Sequence, residues 1–229
     1  MPDETQGETY SLSIHETTII NDRLLDTTAE LEREMMLYEA ALELIQAKLR
    51  TLIAEFRLGE DRSPIDNIQT RIKSPQSILE KMHRKGYPLT LQSLRENVLD
   101  IAGARVVCPF MSDIYSVAEM LLRQEDVTLL QVKDYIKNPK PSGYRSLHLI
   151  VAVKVYLSDA NHLVPVELQL RTIAMNCWAS AEHQVRYKKT AEIPAGVEEE
   201  LRECAELMCL MDEKAQHIAD QMNRNYRNP

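Results

Sequence analysis

Two closely spaced segments near the middle of the chain constrain the fold more than any other feature. Leu129–Ile136 and His148–Leu157 both alternate between apolar and polar residues, with the period of two that is typical of strands. Residues 137–147 join them, and this connection is too short for the helical crossover that parallel neighbours need. The chain is therefore predicted to contain an antiparallel strand pair at its centre.

Further strands and helices are predicted on both sides of this pair. The other strands are Ile68–Lys73, Val106–Phe110 and Val164–Arg171. Two later helices are Ile114–Arg123 and Ile173–Arg186, the second capped by Thr172. These elements predict an α/β fold of the α+β kind: a mixed, largely antiparallel sheet with helices packed on it.

A helix with one basic face is predicted directly after the first strand. Ser74 is its N-cap and Pro75 its first helical residue, the position that tolerates proline best. Its apolar face is formed by Ile78, Leu79 and Met82. Its basic face is formed by Lys81, Arg84 and Lys85.

Long helical arms flank the sheet-forming region. Residues 28–57 carry apolar residues at alternating steps of four and three, and Thr27 with Glu30 forms a capping box at the start. A similar pattern runs from Val197 to Met222. The seams of the two arms pack on the central domain, on each other or on another subunit, and the pattern does not choose between these.

The domain organisation follows from the arms. Residues 1–27 are expected to form a disordered or loosely ordered tail, residues 28–222 a single domain that includes both arms, and residues 223–229 a short C-terminal tail.

The charge is distributed unevenly along the chain. The whole protein has 27 basic and 35 acidic residues, a net charge of −8. Residues 68–148 contain 12 basic and 8 acidic residues, so this segment carries +4 and the rest carries −12. A cationic middle favours a nucleotide or polyphosphate ligand, although uneven charge also arises by chance. The overall acidity argues against a protein that binds duplex DNA.

Cysteine usage and hydropathy indicate the compartment. The four cysteines contain no CxxC pair and no spacing typical of disulfides, so we expect reduced thiols in a cytoplasmic protein. No run of about 18 apolar residues occurs, so no membrane-spanning helix is expected.

Two carboxylates are candidate ligands for a divalent cation. In the strand that contains VPVELQLRT, alternation places Glu167, Gln169 and Arg171 on one face. Asp100 lies just before the strand at 106–110. Together, Asp100 and Glu167 would suit Mg²⁺, which binds to carboxylates and to substrate phosphates. The competing interpretations are a half-exposed strand facing water and an ordinary turn aspartate.

A loop rich in proline and glycine carries a candidate nucleotide-binding group. Between the two central strands, Lys137, Lys140 and Arg145 accompany Tyr144. Cations suit phosphates and a flat ring suits a base; the alternative is a basic surface hairpin. The sequence has no Walker A motif, GxGxxG or GxSxG, so an enzyme of this kind is expected to work by positioning and electrostatics.

Five motifs resemble those of one family. In chain order they are RIKSPQSILEKMHRKG, DIAGARVVCPF, DYIKNPKPSGYRSLH, VELQLRT and MNCWASAEHQVRYKK. Together they resemble the synthetase domain of the RelA/SpoT family, and the short length makes the chain similar to the stand-alone small alarmone synthetases of the RelQ type. The resemblance covers residues 28–222 and implies a fold related to the nucleotidyltransferases.

The resemblance implies a reaction and a set of site residues. The family transfers the β,γ-pyrophosphate of ATP to the 3′-hydroxyl of GDP or GTP in the stringent response, giving ppGpp or pppGpp and AMP. Asp100 and Glu167 would be catalytic and hold Mg²⁺. The ATP site would contain Arg71, Lys73 and Arg105. The GDP/GTP site would contain Lys137, Lys140, Tyr144, Arg145, His148, Gln169, Arg171 and Asn176.

The resemblance also implies partners and limits. A homotetramer, an allosteric (p)ppGpp site and single-stranded RNA binding would match the RelQ type. Alarmone hydrolysis is not expected, because no His-Asp dipeptide occurs. Two other functions stay open: a different nucleotidyltransferase of the same fold, and a non-catalytic regulator that binds nucleotide or RNA.

Overall fold

The computed structural model describes residues 14–58, 62–186 and 196–227. The chain divides into two compact units, residues 1–36 and residues 37–229, and the described part of the first unit is helical. The helices are α1 (Ile14–Leu58), α2 (Pro75–Lys85), α3 (Leu91–Asn97), α4 (Met111–Leu122), α5 (Ile173–Arg186) and α6 (Val197–Arg227). The strands are β1 (Asn67–Ile72), β2 (Ala102–Cys108), β3 (Val127–Asp134), β4 (Leu147–Tyr156) and β5 (Asn161–Thr172).

The strands form one sheet in the order β1-β2-β5-β4-β3. The pairs β1–β2, β4–β5 and β3–β4 are antiparallel, and β2–β5 is parallel. The predicted mixed and largely antiparallel sheet is therefore confirmed, including the antiparallel pair β3–β4, which lies at one edge of the sheet.

The predicted caps begin the helices that flank the site. Ser74 Oγ accepts a hydrogen bond from the amide of Ser77 at 3.3 Å, and Pro75 opens α2. Thr172 Oγ1 accepts from the amide of Met175 at 3.0 Å at the start of α5. Both helices begin where the sequence places them.

One face of β5 is core and the other face is polar. Val164, Val166, Leu168 and Leu170 are all buried. The alternate positions on β5 carry the polar side chains, which face away from that apolar layer. The sheet thus fixes a row of polar groups on a rigid backbone.

Three helix predictions need correction. α1 begins at Ile14 rather than at residue 28, so the helix is longer than the predicted 28–57. No proline or glycine occurs in residues 14–27, and the Thr27–Glu30 pair lies within the helix. α6 continues to Arg227, past the predicted end at 222. α3 was not predicted, because its seven residues carry only two large apolar side chains.

The domain boundaries at 28 and 222 stay predictions. Residues 1–13 and 228–229 of the predicted tails lie outside the described residues, as do the last three residues of the fifth motif.

The apolar seams of the two arms behave differently. In α1, Tyr38, Leu42, Ile45, Leu49 and Leu52 are buried, so this half of the seam packs within the chain. In α6, the seam residues Met211, Ile218 and Met222 are about half exposed or more within this chain, so packing on another subunit stays open for this part of the seam.

The buried line of α6 is shifted by one residue from the predicted seam. Ala205 and Asp212 lie on it, and hydrophobicity alone does not select either of them. Ala205 fits because a Cβ placed on Gly143, at a φ of +86°, would come within 2.5 Å of the Ala205 Cβ. Thr172 Oγ1 donates to Asp212 Oδ2 at 2.7 Å. The close approach of Gly143 to Ala205 and the buried hydrogen bond from Thr172 to Asp212 therefore determine which face of α6 is buried.

None of the described helices has both the length and the apolar character that crossing a membrane requires. The four cysteines are free thiols, as expected.

Candidate active site

Five polar side chains on one side of the sheet form a closed ring of contacts. On β5, Gln169 Nε2 donates to Glu167 Oε2 at 2.9 Å, and Arg171 Nη2 donates to Gln169 Oε1 at 2.8 Å. Arg171 Nη2 also donates to the Tyr144 hydroxyl at 2.8 Å, and that hydroxyl lies 2.7 Å from His148 Nε2. His148 Nδ1 lies 3.5 Å from Glu167 Oε1 and closes the ring. Alternation on β5 predicted that Glu167, Gln169 and Arg171 share a face, and they do.

The ring fixes the direction of its own hydrogen bonds. Because Arg171 donates to the oxygen of Tyr144, the Tyr144 hydroxyl proton is available for His148 Nε2. His148 Nδ1 then carries the hydrogen that points to Glu167. The ring thereby orients a histidine against a carboxylate.

Glu167 is an ionised carboxylate at neutral pH. Burial raises its pKa, but hydrogen bonds from His148 and Gln169 outweigh burial and bring the pKa below the ordinary value of 4.5. The charge on Asp100 acts in the opposite direction and raises the pKa of Glu167. Asp100 and Glu167, the two predicted metal ligands, are therefore close enough to interact electrostatically, although they are far apart in the sequence.

Asp100 lies in the segment between α3 and β2, and two lysines hold it. Lys73 Nζ binds Oδ2 and Lys81 Nζ binds Oδ1, both at 2.7 Å. Burial raises the pKa of Asp100, but the two lysines more than compensate, so that its pKa is lowered from 3.8. Lys81 was not among the predicted site residues. The available signal was its place on the predicted basic face of α2, next to the apolar face of Ile78 and Met82.

A cavity of about 280 Å³ opens between β1, β2 and β5. Glu167 and Gln169 line one side, and Arg71 and Arg105 are the charged groups contributed by the other strands. Asp100 is not part of this lining. The complete lining is Gln69, Thr70, Arg71, Gly103, Ala104, Arg105, Glu167 and Gln169.

Three arginines give this region a positive potential. Burial, and the charges of Arg171 and Arg71, lower the pKa of Arg105. The Nε atoms of Arg105 and Arg171 are buried and have no hydrogen-bond partner among the described residues. Arg105 Nη1 donates to Gln69 Oε1 at 3.3 Å, a contact that sequence analysis did not predict. Unsatisfied donors around a cavity are typical of a site that binds an anion.

Of the three predicted cations in the loop between β3 and β4, Lys140 is the one that lies over the Tyr144 ring. Its Nζ is 4.8 Å from the Tyr144 ring centroid and 4.7 Å from that of Tyr135. Lys137 is exposed and lies over Tyr115. The structure does not bring Lys137 to the ring of polar side chains.

Arg145 and Asn176 also lie outside the ring. Arg145 donates to Cys209 Sγ on α6 and not to the five side chains of the ring. Asn176, on α5, has a buried Oδ1 without a hydrogen-bond partner among the described residues.

The carboxylates suit a metal that arrives with its other ligands. The described residues contain no group of three or more His, Cys, Asp or Glu side chains that could hold a metal ion. Asp100 and Glu167 supply hard oxygen ligands. Mg²⁺ is typically bound by one or two carboxylates, with waters and substrate phosphates completing its shell. The residues present therefore fit Mg²⁺ in complex with a polyphosphate.

Sequence comparison identifies the family. A family model described as the region found in RelA / SpoT proteins matches residues 70–192. The chain belongs to the RelA/SpoT family.

Two curated RelA/SpoT relatives from Bacillus subtilis (strain 168) match most of the chain. GTP pyrophosphokinase YwaC is 41% identical over 193 residues, which is 84% of this chain and 92% of YwaC. GTP pyrophosphokinase YjbM is 39% identical over 187 residues, which is 82% of this chain and 87% of YjbM.

A solved structure of the same kind agrees with the fold. The crystal structure of small alarmone synthetase 1 from Bacillus subtilis, bound to its product pppGpp, superposes with a TM-score of 0.77 at 37% identity. The match covers 84% of this chain and 97% of that one. The sheet and helices described above are thus those of a RelA/SpoT small alarmone synthetase.

Proposed function

We propose that this RelA/SpoT chain is a GTP pyrophosphokinase. It transfers the β,γ-pyrophosphate of ATP to the 3′-hydroxyl of GDP or GTP and releases AMP. The observation that carries the proposal is the arginine-lined cavity beside two ionised carboxylates, in a chain 41% identical to GTP pyrophosphokinase YwaC. Such a site binds a polyphosphate and a divalent cation together.

The ATP site is assigned to β1, β2 and the start of α2. Arg71 and Arg105 line the cavity, and the buried Nε of Arg105 is free to bind a phosphate or the adenine edge. Lys73 lies at the end of β1, beside Asp100, and supplies a further phosphate ligand.

The acceptor site is assigned to the ring of polar side chains. Tyr144 offers its face to guanine, and Lys140 lies beside that ring. His148, Gln169 and Arg171 hold Tyr144 and Glu167 in place by hydrogen bonds. The other assigned acceptor ligands are Lys137, Arg145 and Asn176, and they contact GDP or GTP from outside the ring.

The chemistry follows from these positions. The acceptor 3′-oxygen forms a bond to the β-phosphorus of ATP and its proton is released to water, the bond from that phosphorus to the α–β bridging oxygen breaks, and AMP leaves with the bridging oxygen. Glu167 is ionised and accepts a hydrogen bond from the 3′-hydroxyl. Mg²⁺, held by Asp100 and Glu167, would neutralise charge on the transferred phosphates. The arginines stabilise charge in the transition state without rearranging.

Product analysis tests this function directly. The protein is incubated with Mg²⁺, ATP and either GDP or GTP, and the products are separated by anion exchange. AMP and ppGpp or pppGpp are expected in equal amounts. Release of free pyrophosphate without AMP would identify a different nucleotidyltransferase. No turnover at all would identify a non-catalytic nucleotide- or RNA-binding regulator.

Tyr144→Ala is expected to weaken acceptor binding far more than ATP binding. Loss of base stacking costs about 1–3 kcal/mol, so the KM for GTP should rise about 10- to 100-fold while the KM for ATP changes little. Tyr144→Phe keeps the ring and loses only the hydroxyl contacts to His148 and Arg171. Tyr156→Ala, on an exposed tyrosine at the end of β4, is the control. An unchanged KM for GTP in Tyr144→Ala would refute the stacking role.

We also propose a homotetramer, an allosteric (p)ppGpp site and single-stranded RNA binding, on the family resemblance. A stripe of exposed apolar side chains on α6 supports a further protein contact: Leu207, Leu210, Met211, Ile218 and Met222.

Four free thiols support a reducing, cytoplasmic location.

A further inference from the structure

We infer that Lys73 and Lys81 form a lysine lock on Asp100, which keeps this carboxylate from binding a divalent cation until a nucleotide polyphosphate draws the lysines away. The inference rests on the proposed function, because it concerns the same nucleotide and metal site. It predicts that metal binding depends on nucleotide.

The lock uses the whole carboxylate of Asp100. Each oxygen has its own lysine, with Nζ–O distances of 2.7 Å on both sides. The three side chains are largely shielded from water, with exposures of 16%, 22% and 24% for Lys73, Lys81 and Asp100. A divalent ion would have to approach an oxygen to about 2.1 Å. It would then lie against at least one ammonium group, and like charges at that separation repel strongly.

The surrounding charge also disfavours a free cation. Asp100 and Glu167 contribute two negative charges. The cations around them are Arg71, Lys73, Lys81, Arg105 and Arg171. Five positive charges against two negative ones leave the unliganded site positive. A free metal ion gains little from such a site, whereas a polyphosphate with its own negative charge reverses the balance.

Lys73 and Lys81 keep an anionic partner when a polyphosphate replaces Asp100. They come from different elements, the end of β1 and the middle of α2, and they meet at Asp100. When polyphosphate binds, each ammonium exchanges a carboxylate oxygen for a phosphate oxygen and so remains paired. Both carboxylate oxygens of Asp100 then become available to bind the metal that arrives with the phosphates. The lock therefore favours entry of the metal as a nucleotide complex and suppresses binding of metal alone.

A titration with Mn²⁺ alone tests the lock. The nucleotide-free protein is titrated, and free Mn²⁺ is followed by electron paramagnetic resonance. Lys81→Met frees one oxygen of Asp100 and removes one positive charge, so its Mn²⁺ affinity should exceed that of the wild type by about tenfold. Adding α,β-methylene ATP, whose α–β bridge is not cleaved, should raise Mn²⁺ binding by the wild type.

Matched variants separate the lock from general electrostatics. Lys85→Met removes the same charge from the same helix at an exposed position, and it should change the Mn²⁺ affinity less than twofold. Combining Lys81→Met with Asp100→Asn should cancel the gain. Lys73→Met should behave like Lys81→Met, and circular dichroism verifies that each variant is folded.

Two results would overturn the lock. One is an equal increase in Mn²⁺ affinity in Lys81→Met and in Lys85→Met. The other is a wild-type Mn²⁺ affinity as high as that of Lys81→Met. Neither result depends on turnover. A failure here with normal production of AMP and alarmone would therefore remove only the lock, and a failure of product formation would remove the proposed function.

Discussion

Asp100→Asn is expected to lower kcat for alarmone synthesis by about a thousandfold while the protein still folds. The amide keeps the size of the side chain and loses its charge, so under the proposed mechanism it would hold Mg²⁺ poorly. The two ammonium groups of Lys73 and Lys81 lose a shared anionic partner. The measurement is AMP formation under saturating ATP and GTP, in initial-rate conditions.

Asp126→Asn is the matched control for this prediction. Asp126 also pairs with a lysine, since its Oδ2 lies 2.6 Å from Lys48 Nζ, but it belongs to the turn before β3 and not to the cavity. The control variant should retain wild-type activity. Normal turnover by Asp100→Asn would refute the role of Asp100, and an equal loss in Asp126→Asn would mean that the assay reports stability.

The pH dependence of unfolding shows whether Asp100 is paired in the folded protein. Its folded pKa lies below the ordinary value of 3.8, so its contribution to stability is fully present above that value and is lost as the pH falls through the folded pKa. Asp100→Asn should lack this contribution. In urea unfolding from pH 7 to pH 3, the difference in free energy of unfolding between wild type and variant should therefore shrink at the acid end.

The regular periodicity of β5 explains why part of the site could be predicted from sequence. A strand alternates its side chains, so Glu167, Gln169 and Arg171 had to share a face wherever the strand lay. The same alternation placed Leu168 and Leu170 in the core, which fixes the register. The family motifs supplied the rest of the expectation, because periodicity does not show which strand lies beside β5.

The arrangement around Asp100 needed the three-dimensional structure. Lys73 and Asp100 are far apart along the chain, and Lys81 belongs to a helix whose direction the sequence does not fix. Arg145 shows the opposite limit: it follows Tyr144 in the sequence, but its guanidinium donates to Cys209 on α6 and not to the ring of polar side chains. The close packing of Gly143 on Ala205 sets that geometry, and no apolar pattern encodes it.

Glu167→Gln is the second substitution with a large expected effect, a fall in kcat of about a hundredfold or more. Glutamine preserves the shape of the side chain and can still accept the hydrogen bond from His148, but it removes a charge from the metal ligand pair of the proposed mechanism. The Mg²⁺ concentration for half-maximal activity should rise, because one anionic ligand is lost. Glu119→Gln, on an exposed ion pair of α4 with Arg123, is the control and should leave kcat unchanged.

The pH profile of Glu167→Gln separates a charge role from a base role. Because the pKa of Glu167 lies below 4.5, this carboxylate is already ionised across neutral pH and is a weak proton acceptor there. Under the proposed mechanism we therefore expect its main contribution to be negative charge and not basicity. The activity of the variant should stay low from pH 6 to pH 9, whereas an increase of about tenfold per pH unit would show that hydroxide replaces a missing base. A flat profile together with the raised Mg²⁺ requirement would place the charge of Glu167, and not its basicity, at the centre of catalysis.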